Sequence, residues 1–275
     1  MKSIDVVIVH YGDISLTKKA IESIEEYCTY RSIIIVNNNP NIQIEKELEK
    51  KKQRIFINAG ENVGFAAGSN LGIKKAMEEF ADYVLLFNND AFVEHDVVES
   101  LLQVYKRNKI IGIVGPVIQF KKDGKLFYDM GGTVDENTGR SHHLNEEVRI
   151  ASEPLQVQYI SGCCMMIKKE VIDVIGGFDE RFFLYYEDVD YCLRAYYAGF
   201  DTYILTTSII THKLSASIGR NSKKATLHLI KSGRKFAKKY KRKYPLGKYF
   251  MMYQSAKFFL RSPRSLSTIR KGWGK

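Results

Sequence analysis

The stretch YVLLFNND, residues 83–90, decides the fold of this chain. Five consecutive apolar or aromatic residues are typical of a strand that is buried on both faces. Asn88, Asn89 and Asp90 mark its end, because Asn and Asp favour turns. A buried strand of this kind predicts an α/β sheet with parallel strands that is covered by helices.

Strand-like apolar runs alternate with helical periods on both sides of this stretch. The expected strands cover residues 4–9, 33–36, 54–57, 112–120, 156–168 and 202–205. The expected helices cover residues 16–27, 68–79, 96–106 and 188–198. Strands and helices in this order indicate βαβ units.

The charge of the chain is divided unequally. The 275 residues have an ordinary globular composition, which excludes disorder and a coiled coil, and a formal net charge of +11. Residues 202–275 contain 19 Lys and Arg and no Asp or Glu, whereas residues 1–201 carry 23 basic and 31 acidic residues. We therefore expect an α/β domain over residues 1–215 and a basic, amphipathic helical region over 216–275. Such a basic region indicates a polyanionic partner, either nucleic acid or an anionic membrane surface.

The cysteines and the hydropathy predict the compartment. The four cysteines form no C-x-x-C pair, so reduced thiols are expected rather than a disulfide framework or a zinc site. No apolar run reaches the roughly 18 residues of a spanning helix, and residues 1–5 show no secretory pattern. The chain is expected in the cytoplasm, in contact with a membrane from one side only.

Polar residues cluster where the predicted parallel strands end, at Tyr11, Asn37, Asn62 and residues 88–90. Ligands of open α/β sheets bind beyond these strand ends, although Asn, Asp and Gly are also the ordinary residues of turns. Asp90 could hold Mg²⁺ or Mn²⁺ against a diphosphate, because these ions take most of their ligands from water and phosphate. His212 follows the apolar run 208–211, and imidazole is a suitable ligand for Mn²⁺.

A second constellation, Glu187-Asp188-Val189-Asp190, follows the aromatic run 182–186. The acids lie at the start of a predicted helix, where the helix dipole stabilises negative charge. Asp190 is expected to pair with Arg194 one turn later. Asp188, below an aromatic loop that could hold a sugar, is suited to removing a hydroxyl proton.

Five motifs in fixed order carry a family resemblance. They are VNNN at 36–39, NVGFAAGSNLG at 62–72, NND at 88–90, GGFDE at 176–180 and YEDVDYCLR at 186–194. Over residues 3–220 the chain resembles the inverting glycosyltransferases of family 2, especially the bacterial rhamnosyltransferase and galactofuranosyltransferase branch. The resemblance implies the GT-A fold, in which a Rossmann-like nucleotide-binding half with a mixed central sheet is joined to an acceptor-binding half.

The resemblance also implies roles for individual residues. Asp188 would be the catalytic base with Glu187 in support, and Asp90 and His212 would bind Mg²⁺ or Mn²⁺. The implied donor-binding residues are Tyr11, Asn37, Asn62, Gly64, Gly68, Asn70, Asn88 and Asn89. The implied acceptor-binding residues are Asp179, Phe183 and Tyr186.

The implied reaction moves rhamnose or a similar sugar from a dTDP- or UDP-linked donor to a hydroxyl of a polyprenyl-linked surface glycan. Asn37 and Asn88 stand where the family usually has Asp, which leaves the base and the sugar of the donor open. One alternative is a sugar-phosphate nucleotidyltransferase, but residues 10–13 lack the glycine-rich, basic run of that class. A nucleic-acid-binding protein is the other alternative, and it would leave the acids at 187–190 without a role.

The segment 249–260 has one apolar helical face. Tyr249, Met252, Tyr253, Ala256, Phe259 and Leu260 share this face, and basic residues flank it. This pattern predicts a helix at a membrane interface, which would make the protein peripheral at the inner face of the cell membrane. The alternatives are that the face packs on the body or on a second subunit in a homodimer.

Overall fold

A computed structural model describes residues 2–49, 51–144, 151, 153–213 and 223–261. The strands are β1 Ile4–His10, β2 Ser32–Asn37, β3 Arg54–Asn58, β4 Tyr83–Phe87, β5 Ala91–Phe92, β6 Ile111–Lys122, β7 Lys125–Asp129, β8 Gly132–Val134, β9 Ser141–His143, β10 Leu155–Val157, β11 Cys164–Lys168 and β12 Asp201–His212. The helices are α1 Ile14–Tyr27, α2 Ile44–Glu47, α3 Gly64–Glu78, α4 Val97–Tyr105, α5 Lys169–Ile175, α6 Glu187–Tyr197, α7 Lys223–Lys239 and α8 Gly247–Arg261.

One mixed sheet organises the described residues, with the strand order β10-β12-β6-β11-β4-β1-β2-β3. The strands β3, β2, β1 and β4 run parallel, as the alternation of strands and helices predicts. On the other side of β4, β11 is antiparallel to both β4 and β6. Helices cover both faces, so β2 and β4 are buried at every position. The predicted α/β class with a mixed central sheet is confirmed.

Two elements differ from the expectation. The long strand predicted for residues 156–168, with a break at Gly162 and the two cysteines, is two separate strands, β10 and β11, because the chain leaves the sheet after Val157 and re-enters it beside β4 at Cys164. Helix α3 begins at Gly64, four residues earlier than predicted, because Gly64 has a positive φ of 89° and serves as the first residue of the helix.

The basic helices pack against the body. Phe236 of α7 is 1% exposed and belongs to the same hydrophobic cluster as Tyr186 and Val189. Its ring lies 5.0 Å from the ring of Tyr186. Helix α8 packs on α7 through Met251. The predicted boundary at residue 215 lies outside the described residues, but α7 shares the core of the α/β body. No described helix is long and apolar enough to cross a bilayer.

Candidate active site

A cavity of about 330 Å³ opens beyond the carboxyl ends of β1, β2 and β4. Most of the predicted site residues line it, contributed by both halves of the sheet. They are Tyr11, Asn62, Gly64, Asn88, Asn89, Asp90, Phe183, Tyr186, Glu187, Asp188 and His212. Residues more than 120 positions apart are thus brought to one site, which is where an open α/β sheet places its ligand.

Asp90 and His212 are in direct contact at one end of the cavity. The antiparallel pairing of β5 with β12 sets Ala91 opposite His212, and it brings His212 Nε2 to 2.9 Å from Asp90 Oδ1. The Asn88 amide nitrogen lies 3.4 Å from the same ring nitrogen. Burial lowers the pKa of His212, but Cys163 and Asp90 raise it, so that the net value is about 10. A metal ion at His212 must therefore displace a proton.

Asn89 supports this end of the cavity from behind. Its amide donates hydrogen bonds to the Tyr11 carbonyl and to Thr17 Oγ1, at 3.2 and 3.0 Å. Thr17 Oγ1 in turn lies 2.7 Å from His10 Nδ1. Burial lowers the pKa of His10 to about 4, so its ring is neutral. Asn89 therefore joins the end of β4 to the end of β1 and fixes the floor of the cavity.

Asn38, which the sequence analysis did not single out, lines the cavity where Asn37 was expected. The Asn37 amide donates to the Ile42 carbonyl at 2.8 Å and stabilises its own turn. Asn38 donates to the Gly64 carbonyl at 3.0 Å and accepts from the Val63 backbone N–H at 2.9 Å. The continuous apolar run of β2, which is buried at every position, gave no signal for choosing between these two neighbouring residues.

Gly64 is the point at which the two halves of the site touch. A Cβ at this position would lie 2.5 Å from the Phe183 carbonyl oxygen. The same carbonyl accepts a hydrogen bond of 2.8 Å from the Phe65 backbone N–H. Only a residue without a side chain allows this approach at a positive φ. Gly64 therefore sets the distance between the start of α3 and the loop 176–186 across the cavity.

Replacing Gly64 with Ala is expected to destabilise the protein by about 1–3 kcal/mol, because the residue combines a positive φ with a backbone clash. Thermal unfolding measures this loss. Gly60 also has a positive φ, of 80°, but nothing lies within 4 Å of a Cβ placed there, so Gly60→Ala is the control. Equal losses in both variants would show that backbone strain alone, without the contact to Phe183, explains the effect.

Besides Asn37, three further predicted site residues lie away from the cavity lining. A Cβ on Gly68 would meet Val9 at 2.9 Å, so Gly68 packs α3 on β1. The Asn70 amide donates to the Phe178 carbonyl at 2.9 Å and holds the start of the aromatic loop. Asp179 pairs with Arg181 and Lys239 at 2.5 and 2.8 Å. In these positions the three residues have structural roles. The expectation that they line the pocket was wrong.

Asp188 lies at the start of α6, as predicted. Tyr186 adopts a positive φ of 69° just before the helix. The Asp188 carboxylate accepts hydrogen bonds from the backbone N–H groups of Gly162, at 3.3 Å, and Val189, at 2.8 Å. Burial raises the pKa of Asp188, although these hydrogen bonds act in the opposite direction. A half-buried carboxylate with a raised pKa is typical of a general base.

Glu187, the neighbour of Asp188, is 5% exposed. Burial, with the charge of Asp188 as a second cause, raises the pKa of Glu187 well above its ordinary value. The shift is larger for Glu187 than for Asp188, so of the two carboxyl groups Asp188 is the one that loses its proton more readily.

Helix α7 completes the site in a way that the sequence analysis missed. Its Leu229 lines the cavity, and His228 stacks on Phe183 with ring centroids 5.0 Å apart. The predicted pair of Asp190 and Arg194 is present at 2.9 Å, and Lys239 of α7 lies 2.5 Å from the other oxygen of Asp190. The i, i+4 spacing indicates the first pair, but the contact with Lys239 depends on tertiary structure alone.

The comparisons with known proteins agree with this architecture. Residues 5–176 match the model of the family described as glycosyl transferase family 2. The chain is 23% identical over 209 residues to the dTDP-rhamnosyl transferase RfbF of Shigella flexneri. The aligned residues cover 76% of this chain and 68% of the relative. It is 22% identical over 207 residues to the rhamnosyltransferase WbbL of Escherichia coli, over 70% of this chain and 77% of that protein.

Two further relatives are informative. The N-acetylglucosaminyl-diphospho-decaprenol L-rhamnosyltransferase of Mycobacterium tuberculosis is 25% identical over 189 residues, 60% of this chain and 61% of its own length. The crystal structure of GalNAc-T7 with UDP, GalNAc and Mn²⁺ superposes with a TM-score of 0.67 at 13% identity, covering 98% of this chain and 58% of that one. This last likeness concerns the fold and confirms the GT-A architecture. Because the family model matches more than half of the residues of this chain, the chain belongs to glycosyltransferase family 2 and is a glycosyltransferase with rhamnosyltransferase relatives.

Proposed function

We propose that this protein transfers rhamnose or a related sugar from a dTDP- or UDP-linked donor to a hydroxyl of a polyprenyl-linked glycan, with inversion at the anomeric carbon. The observation that carries the proposal is the presence of Asp188 and the pair of Asp90 and His212 around a single cavity. In this proposal Asp188 takes a proton, and Asp90 and His212 hold a metal ion that binds the diphosphate. The names of the relatives from Shigella flexneri and Mycobacterium tuberculosis support the choice of donor and acceptor.

The side chains of Asp90 and His212 offer suitable ligand atoms for Mg²⁺ or Mn²⁺. Asp90 offers carboxylate oxygen and His212 offers imidazole nitrogen, with Asn88 beside them. Among the described residues, no group of three or more His, Cys, Asp and Glu side chains is arranged to hold a metal ion. Two protein ligands are sufficient for an ion that takes its remaining ligands from a diphosphate and water. When bound, the ion would stabilise the charge that develops on the nucleoside diphosphate.

The chain's own residues account for the other half of the reaction. Asp188 accepts the proton of the acceptor hydroxyl while the hydroxyl oxygen attacks the anomeric carbon. The bond from that carbon to the diphosphate breaks in the same displacement, which inverts the configuration. Gly162 and Val189 hold the carboxylate through their backbone N–H groups. Phe183 and Tyr186 supply aromatic surface to the acceptor sugar.

A donor screen tests the proposal. The protein is incubated with dTDP-L-rhamnose and UDP-sugars, with Mg²⁺ or Mn²⁺ and a short-chain N-acetylglucosaminyl-diphospho-prenol. A glycosyltransferase releases nucleoside diphosphate and lengthens the acceptor glycan. A nucleotidyltransferase would instead form a nucleotide sugar and pyrophosphate from sugar phosphate and nucleoside triphosphate, and that result would contradict the proposal. Strong, salt-dependent binding of DNA would favour the nucleic-acid alternative.

We further propose that α8 docks on the anionic inner surface of the cell membrane. The described residues of its predicted apolar face are exposed: Tyr249 is 65% exposed, Met252 56%, Tyr253 62% and Leu260 83%. Phe250 and Met251 face α7 instead. Lys248 and Lys257 are exposed on the same helix, and the sequence from residue 202 onward contains no acid. An exposed apolar face between basic residues fits an anionic lipid surface.

Substitution of Tyr253 and Leu260 by Ser is expected to weaken binding to phosphatidylglycerol vesicles at least about tenfold, because each apolar side chain contributes about 1.5–3 kcal/mol when it is buried. The matched control replaces Val174 and Phe80, which are 63% and 82% exposed elsewhere, by Ser. Vesicle flotation measures the binding. Point variants are preferable to truncation, because removal of α7 would also take Phe236 out of the core. Unchanged flotation together with a dimer that the substitutions dissociate would assign this face to a second subunit.

A further inference from the structure

Asp129, His143 and Tyr159 also border the cavity, although none of them belongs to a motif of the family resemblance. Asp129 ends β7 and His143 ends β9. Asp129 Oδ2 lies 3.1 Å from His143 Nδ1, and Asp129 Oδ1 accepts a hydrogen bond of 3.0 Å from the Gly131 backbone N–H. A carboxylate in this position fixes the orientation of the imidazole ring.

Tyr159 packs against this pair. Its ring is edge-to-face with the His143 ring, with centroids 5.5 Å apart, and the residue is 1% exposed. The Tyr159 hydroxyl makes no hydrogen bond of ordinary geometry to a described residue, although the side chain of Ser141, which also lines the cavity, lies close enough to lower its pKa. A buried hydroxyl without a partner costs about 1–3 kcal/mol, and native proteins retain few such groups without a reason. Because the residue lines the cavity, a bound molecule can supply the missing hydrogen bond.

These three residues lie on the side of the cavity that contains Asp188. Burial raises the pKa of Tyr159, and the charges of Asp188 and Asp129 raise it further. His143 lowers the pKa of Asp188, while Asp129 raises it. The groups that act on His212 are Cys163 and Asp90 instead. The cavity thus has two separate electrostatic neighbourhoods, and the cluster belongs to that of the proposed base.

We propose that Asp129, His143 and Tyr159 form the subsite that holds the acceptor sugar by hydrogen bonds and sets its hydroxyl against Asp188. This inference rests on the proposed function and adds to it the residues that select the acceptor. A sugar combines hydroxyl groups with an apolar ring face, and it is bound by fixed polar groups beside aromatic rings. The three residues act as positioning residues, and Asp188 alone takes the proton.

Tyr159→Phe is the sharpest test, because it removes one oxygen and leaves the ring in place. We expect the KM for the N-acetylglucosaminyl-diphospho-prenol acceptor to rise about tenfold, which corresponds to one lost hydrogen bond. The KM for dTDP-L-rhamnose and the slow hydrolysis of this donor should be unchanged. The Tm should fall less than in the control below, because the hydroxyl makes no hydrogen bond of ordinary geometry to a described residue. His143→Ala should raise the acceptor KM as well.

Tyr105→Phe is the matched control. The Tyr105 hydroxyl is also buried, but it donates a hydrogen bond of 2.6 Å to the Met166 carbonyl. This variant should lower the Tm and leave the acceptor KM unchanged. An unchanged acceptor KM in both Tyr159→Phe and His143→Ala would overturn the subsite, as would a fall of Tm in Tyr159→Phe equal to that of the control. If the wild-type protein transfers no sugar to any acceptor, the proposed function itself fails and the subsite fails with it.

Discussion

Replacing Asp188 with Asn is expected to reduce sugar transfer at least about 100-fold while donor binding stays unchanged. General-base catalysis contributes about 10²- to 10⁴-fold, and Asn cannot take the proton of the acceptor hydroxyl. Asn has nearly the shape of Asp and leaves the metal-binding end of the cavity intact. The transfer rate under saturating donor and the Kd of the nucleoside diphosphate measure the two parts of this expectation.

Glu187→Gln is the matched control for Asp188→Asn. Burial raises the pKa of Glu187 well above its usual range, which favours its neutral form, and Gln has nearly the shape of that form. The variant should therefore keep its activity within severalfold of the wild type. If Glu187→Gln lost activity as severely as Asp188→Asn, the loss could not assign the role of base to Asp188 rather than to Glu187. Near-normal transfer in a folded Asp188→Asn variant would remove Asp188 from the mechanism.

The pH profile provides a second measurement on the same residue. A general base works only when it is deprotonated, so activity must fall as the pH drops through the pKa of Asp188. Burial raises this pKa, so the acid limb of kcat/KM should lie above the ordinary aspartate value of 3.8. An acid limb at or below that value would contradict the assignment.

The second large effect is expected for Asp90→Ala, which should lower metal-dependent transfer at least about 100-fold. The variant removes the only carboxylate that the structure places in contact with His212 among the described residues. The stabilisation that a bound ion supplies is worth several kcal/mol, and His212 would be left as the single strong ligand. Transfer across a Mn²⁺ titration and direct Mn²⁺ binding in the presence of dTDP measure the loss.

Asp173→Ala is a suitable control for Asp90→Ala. Asp173 lies on the surface in α5, pairs with Lys169 and is not among the residues that line the cavity. Its loss should alter neither Mn²⁺ binding nor transfer. If Asp90→Ala bound Mn²⁺ and transferred sugar as the wild type does, the metal would have to be held elsewhere.

Local patterns predicted the centre of the fold well. The five apolar residues at 83–87 form β4 with the predicted bounds, since an uninterrupted apolar run in this setting has few other stable environments. The apolar and aromatic residues at 156–168 indicated one long, interrupted strand, whereas residues 158–163 lie between two separate strands. Hydropathy cannot distinguish a buried strand from a buried connection between two strands.

The candidate site was predictable where each residue belongs to a local pattern, as Asp90 and Asp188 do. Asn70 shows the limit, because its amide bonds the Phe178 backbone, 108 positions later in the chain. The cluster around Tyr159 was missed for the same reason, since its members come from β7, β9 and the segment after β10. Such contacts depend on the tertiary path of the chain, and the periodicity of a single sequence does not predict them.

Helix α7 has a consequence for the order in which the enzyme becomes active during its synthesis. A ribosome releases the two proposed chemical groups, Asp90 and Asp188, well before it releases Leu229 and Lys239. Until α7 emerges, the cavity lacks one wall and Asp190 lacks its second cation. We therefore expect a chain that ends before α7 to contain the proposed groups Asp90 and Asp188 in an incomplete cavity, and to transfer sugar more slowly than the full chain.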